Sequence, residues 1–183
     1  MKLSQTSVLV CAFMLGLSGQ LHAAANQGSG TVEFVGAIID APCSIDPESV
    51  DQTVEMGQVA NTTLVEYGAG TPQNFKIKLV GCAIETAKSV DVTFNGNSYQ
   101  GQGLDRNMDD MYLQLNSATA KGAGIKIRNA SNGETVRLGV PTSFTGLMDG
   151  SNELKFNATV ERVAEDVEPG EFTAMADFVL AYK

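Results

Sequence analysis

The chain has 183 residues, a net charge of −9 and a pI near 4.5. That balance argues against nucleic acid as a partner, because binding to phosphates needs concentrated Lys and Arg. The single histidine, His22, lies in the first two dozen residues, which read as an export signal. Without it the remaining chain cannot build a serine or cysteine triad of the usual kind.

The signal reading rests on three features in order. Lys2 gives a positive start, residues 8–17 form a short apolar core, and Ala23, Ala24 and Ala25 supply the small residues of a cleavage site. The signal is therefore assigned to residues 1–23, with the cut between 23 and 25 left open. Its core is too short to span a bilayer, and no later stretch reaches the run of about 20 apolar residues a spanning helix needs. Removal of the signal also removes Cys11, leaving Cys43 and Cys82. In an oxidising compartment such a pair is most simply a disulfide. Two cysteines without histidine make a poor zinc site.

After a tail that begins Ala24-Ala25-Asn26-Gln27, residues 28–38 alternate so that Gly30, Val32, Phe34, Gly36 and Ile38 share one face. The remainder has the grammar of an all-β domain, with short β-branched or alternating runs between Gly, Asn, Asp and Pro. Strands are expected at 31–39, 53–56, 75–80, 90–94, 112–115, 125–128, 135–138, 154–163 and 172–182, and helical periodicity is nearly absent. This spacing fits an antiparallel sandwich of immunoglobulin-like type. Asn132-Gly133 predicts a two-residue hairpin turn between 125–128 and 135–138. Residues 95–110 read as a long surface loop.

Two acidic groupings lie in turn-like segments: Asp105, Asp109 and Asp110, and then Asp149, Ser151 and Glu153. Neither matches an EF-hand loop, and both read as solvated turns. No metal ligands, catalytic residues, cofactor or small-molecule substrate are assigned. The last run puts Ala174, Ala176, Phe178, Leu180 and Tyr182 on one face, one residue before the sequence ends at Lys183. Left uncovered, such a strand presents an apolar groove and an unpaired edge.

Three stretches carry a family resemblance. They are Gly-Thr-Val-Glu-Phe-Val-Gly-Ala-Ile-Ile-Asp-Ala-Pro-Cys (residues 30–43), Phe-Lys-Ile-Lys-Leu-Val-Gly-Cys (residues 75–82), and the ending from Gly170-Glu171-Phe172-Thr173-Ala174 to Tyr182. In this order and spacing the chain resembles the pilins of chaperone-usher fimbriae, of the type 1 and P pilus kind.

The resemblance implies an incomplete immunoglobulin-like β-sandwich that lacks its last strand and is completed by donor-strand complementation. It divides the exported chain into a donor extension, 24–40, and a pilin domain, 41–183. The donor face would be Gly30, Val32, Phe34, Gly36 and Ile38, with Gly36 seven residues before Cys43 as in the family's donor strands. The acceptor groove, which also binds the chaperone, would be formed by Ala174, Ala176, Phe178, Leu180, Tyr182 and Lys183.

Implied partners are other pilin subunits, a periplasmic chaperone and an outer-membrane usher, with the finished fimbria outside the cell and supporting adhesion. A shaft subunit is preferred over a minor adaptor. The alternative outside the family is a self-contained secreted immunoglobulin-like binding module.

Overall fold

The computed structural model describes residues 29–85, 88–100 and 110–183. Residues 39–183 cluster as one unit, and residues 29–38 belong to a separate one. The larger unit contains β1 (Ser44–Ile45), α1 (Pro47–Val50), α2 (Asn61–Tyr67), β2 (Gln73–Cys82) and β3 (Ser89–Gly96). These are followed by β4 (Leu113–Gln114), β5 (Ala123–Asn129), β6 (Thr142–Thr145), β7 (Gly150–Arg162) and β8 (Ala176–Tyr182).

The strands form two antiparallel sheets, one ordered β1-β2-β7-β5-β4 and the other β6-β3-β8. Alternation builds the core. In β7 the side chains of Leu154, Phe156, Ala158 and Val160 are buried, and they meet Ile77 and Leu79 of β2, Ile125 and Ile127 of β5, and Val90, Val92 and Phe94 of β3. Phe156 is the hub, with Phe94 edge-on at 5.0 Å, Phe144 at 5.2 Å and Phe75 stacked at 5.3 Å. Each such aromatic pair adds about 0.5–1.5 kcal/mol beyond its buried area.

Cys43 and Cys82 form the expected disulfide across 39 residues, tying the entry to β1 to the end of β2. Just before it the β2–β7 register shifts between Leu79 and Cys82, where Gly81 takes φ +62°. That bulge needs a residue without a Cβ.

Several expected elements take a different form. Residues 31–39 and 53–56 contain no strand, although Val54 and Met56 are half-buried while Thr53 and Glu55 are exposed. Alternation prepares a segment for a sheet, but the ladder also needs a partner edge.

The chain does reverse after β5, through a four-residue loop. Gly133 N–H donates to Asn129 O at 2.8 Å, and Asn129 N–H donates to Glu134 O at 2.9 Å. Gly133 has φ +75°. The returning arm at 135–138 is reduced to a single bridge, Arg128↔Thr135, with Val136 N–H donating to Ile127 O. It then departs because Arg137 pairs with Asp110 and Leu138 N–H donates to Asp110 O.

Two short helices also stand where helical periodicity was read as nearly absent. Asp46 caps α1 by accepting from Glu48 N–H, and Pro47 opens it. α2 ends on Gly68, whose N–H donates to Leu64 O.

On the outer face of the larger sheet, Tyr112 is buried against β5 and β7. Its hydroxyl donates to Glu161 Oε2 at 2.9 Å, and Lys126 Nζ lies 4.9 Å from its ring centre. Burial first, and then the Glu161 carboxylate, push the phenol up to about 12.

Candidate functional site

β8 ends the three-stranded sheet. One edge pairs with β3, with Ala176 opposite Gly96, Phe178 opposite Phe94, Leu180 opposite Val92 and Tyr182 opposite Val90. Its other edge has no ladder partner among the described residues.

Side chains along β8 alternate strictly: Ala176, Phe178, Leu180 and Tyr182 are half-buried against the core, while Asp177, Val179 and Ala181 face outward. Ala174, just before the strand, shares the half-buried class. Phe178 reaches the aromatic hub through Phe94, with ring centres 6.2 Å apart. The Tyr182 hydroxyl is buried with no hydrogen-bond partner among the described residues, and burial raises its pKa. The site is thus an apolar strip backed by the core, beside backbone groups available for another strand.

Lys183 points to the opposite side of the strand. Its backbone exchanges two hydrogen bonds with Ser89, at 2.9 and 3.2 Å, and its Nζ pairs with Asp91. Asp91 is only 4% exposed and also accepts from Ser143 Oγ at 2.6 Å. Lys183 first, and then Ser143, hold this carboxyl below its ordinary range. The cluster ties β6, β3 and β8 together and fixes the end of the strip. Sequence reasoning missed Asp91, whose signal was a carboxylate inside the apolar run Val90-Asp91-Val92.

The other candidate strip lies in the first unit. Residues 29–38 have neither helix nor strand, and Val32, Phe34 and Ile38 are 73%, 92% and 105% exposed. Gly28 lies outside the described residues.

The acidic groupings resolve differently. Asp110 pairs with Arg137 at 2.6 Å, Asp149 accepts from Ile84 N–H at 2.9 Å, and Glu153 pairs with Lys76 and Lys155. Asp105 and Asp109 lie outside the described residues. Among the described residues no three potential ligands converge as a metal set, and no helix is long and apolar enough to cross a membrane.

Comparison with known proteins decides the family, since the model described as "Fimbrial protein" matches residues 32–183. The chain belongs to the fimbrial protein family. This pilin is 44% identical to the Fimbria A protein of Serratia marcescens, over the full length of both. It is 40% identical to the Major MR/P fimbria protein of Proteus mirabilis, covering 94% of this chain and 97% of the relative.

Among solved structures it resembles a subunit of a chaperone-usher pilus, at 31% identity and TM-score 0.71, covering 86% of this chain and 97% of that one. It also resembles the P pilus rod subunit PapA, at 30% identity and TM-score 0.64, covering 78% and 100%. The pilin therefore has the immunoglobulin-like fold of these subunits and is a structural component of an extracellular chaperone-usher fimbria, not an enzyme. Its partners are other pilin subunits.

Proposed function

We propose that this pilin polymerises into the fimbrial shaft by donor-strand exchange, with residues 28–38 of one subunit laid against β8 of the next. The observation that carries the reading is the half-buried strip Ala174, Ala176, Phe178, Leu180 and Tyr182 on a strand that ends its sheet.

The donor face is Gly30, Val32, Phe34, Gly36 and Ile38. Burial of Val32, Phe34 and Ile38 contributes about 1.5–3 kcal/mol each, and the added strand pairs the backbone edge by β-augmentation. Each subunit donates at one end and accepts at the other. The contact is therefore heterologous, does not close on itself, and makes a filament.

The export signal at 1–23 delivers the chain to the periplasm. A periplasmic chaperone covers the strip there, near Lys183, until an outer-membrane usher exchanges it for the next subunit's extension at 24–40, ahead of the domain at 41–183. The shaft role, in preference to an adaptor, is supported by relatives whose names carry the word major. The shaft supports adhesion as the rod of the fimbria.

Deletion of residues 28–38 tests this. Electron microscopy of surface extracts is expected to find no filaments, with the subunit held as monomer or chaperone complex. Long filaments built from the deleted subunit overturn strand donation.

A further inference from the structure

Two Asn-Gly pairs occur in the chain, Asn95-Gly96 and Asn132-Gly133, and the fold holds them in opposite ways. A glycine after asparagine leaves its backbone nitrogen open to the neighbouring carboxamide, because no Cβ stands in the way. Whether that nitrogen reaches the asparagine Cγ then depends on the local backbone.

Asn95-Gly96 is fixed in β3, with Asn95 opposite Asp177 and Gly96 opposite Ala176. The extended ladder holds the Gly96 nitrogen away from the Asn95 side chain. A Cβ added to Gly96 would lie 2.5 Å from Leu113 Cδ2 and 2.8 Å from Met175 O, so the neighbours leave this pair little room to rearrange.

Asn132-Gly133 stands instead at the tip of the loop after β5, where residues 130–134 are all exposed. A Cβ added to Gly133 would meet nothing within 4 Å. Gly133 N–H donates to Asn129 O at 2.8 Å, a loop bond that opens without breaking a ladder. The Asn132 carboxamide is already polarised, since its Oδ1 accepts from Glu134 N–H at 3.1 Å and its Nδ2 donates to Glu134 Oε2 at 2.6 Å. The first of these bonds draws electrons from Cγ, as a donor aimed at a developing oxyanion does.

We propose that Asn132 is a self-modification site, at which the Gly133 backbone nitrogen converts the side chain first to a cyclic imide and then to an acid. The nitrogen gives its proton to solvent and bonds to Asn132 Cγ; the Cγ–Nδ2 bond breaks, and Nδ2 leaves as ammonia with a proton taken from water. Water then adds to either carbonyl of the succinimide and breaks one C–N bond, giving aspartate or isoaspartate. The sum is asparagine and water to a carboxylate and ammonium.

Each event adds one negative charge to a chain of net charge −9. It places that charge against the Glu134 carboxylate that Nδ2 contacts in the unmodified loop. Like charges there loosen the tip, so a loop end pinned in a new subunit is released in an aged one.

The test incubates subunit purified from the cell surface, folded or in urea, at neutral and alkaline pH in heavy-oxygen water, which marks conversions made during the incubation. Trypsin releases residues 129–137, because Arg128 and Arg137 flank the loop. Fragment ions then assign the change to Asn132 and separate isoaspartate from aspartate.

In the folded protein Asn132 is expected to convert at least about tenfold faster than Asn95, with both acids formed and a rate that rises with pH. In urea the two pairs are expected to convert at similar rates. Gly133→Ala is expected to slow conversion by at least about tenfold; should that variant not fold, the folded-against-urea comparison of the unaltered chain decides. Conversion of folded Asn132 no faster than that of Asn95, or aspartate formed without isoaspartate, overturns the proposal. Amide exchange at Gly133 and Glu134 is expected to be faster in Asn132→Asp, and unchanged exchange would overturn release of the tip.

Discussion

The carboxylate of β3, Asp91, is nearly closed off from solvent yet bound to Lys183 and Ser143. Its folded pKa is depressed, so its contribution is present in full above the unfolded value near 4 and is lost as pH falls below it through the folded value. Asp91→Asn keeps the shape and removes the charge. Thermal melting is expected to place the variant a few degrees below wild type at pH 7, with the gap closing as the solution is acidified below about pH 4. A gap that persists in strong acid would mean that Asp91 acts through packing alone.

At the scale of elements, the strand-donation proposal makes the strip at 28–38 most sensitive at Gly36, where it has a side chain entering the groove of the accepting subunit. Gly36→Arg is expected to leave the amount of exported subunit unchanged and to reduce multimers on an unheated gel by at least about tenfold, as one lost contact of 1.4 kcal/mol does. Normal multimers from this variant would place the donor register elsewhere.

Element by element, legibility followed how much of a segment's fate was local. Residues 90–94, 125–128 and 154–163 were readable because their apolar alternation faces a core of the same chain, and they lie largely within β3, β5 and β7. The alternation at 31–39 was equally clear, but those residues pair with no sheet among the described residues and carry no strand. β6 escaped notice because its four residues, Thr-Ser-Phe-Thr, offer Phe144 as the one apolar anchor. α2 gave little warning: two of its seven residues are threonines, and Ala60 at its start makes no side-chain cap. The Asp46-Pro47 start of α1 was legible and went unused.

Across the whole molecule, the Cys43–Cys82 bridge ties the entry to β1 to the end of β2. Closure of a loop of 39 residues stabilises the fold by about 4 kcal/mol in the chain-entropy model. Replacing both cysteines with serine is expected to lower the melting temperature by roughly 10 °C, and an unchanged melt would deny the bridge a stabilising role. The bridge was readable from cysteine count and compartment. The β8 strip was readable from its alternation, whereas the Asp91–Lys183 tie depends on which strands become neighbours, and periodicity alone does not specify that.

Completion in trans is tested most directly by a subunit lacking residues 24–38, melted with and without a peptide of residues 28–38. The peptide is expected to raise the melting temperature in a concentration-dependent way, as ligand linkage to the folded state requires, and a Phe34→Ala peptide is expected to raise it less. A truncated subunit that is already stable and indifferent to the peptide would contradict strand completion.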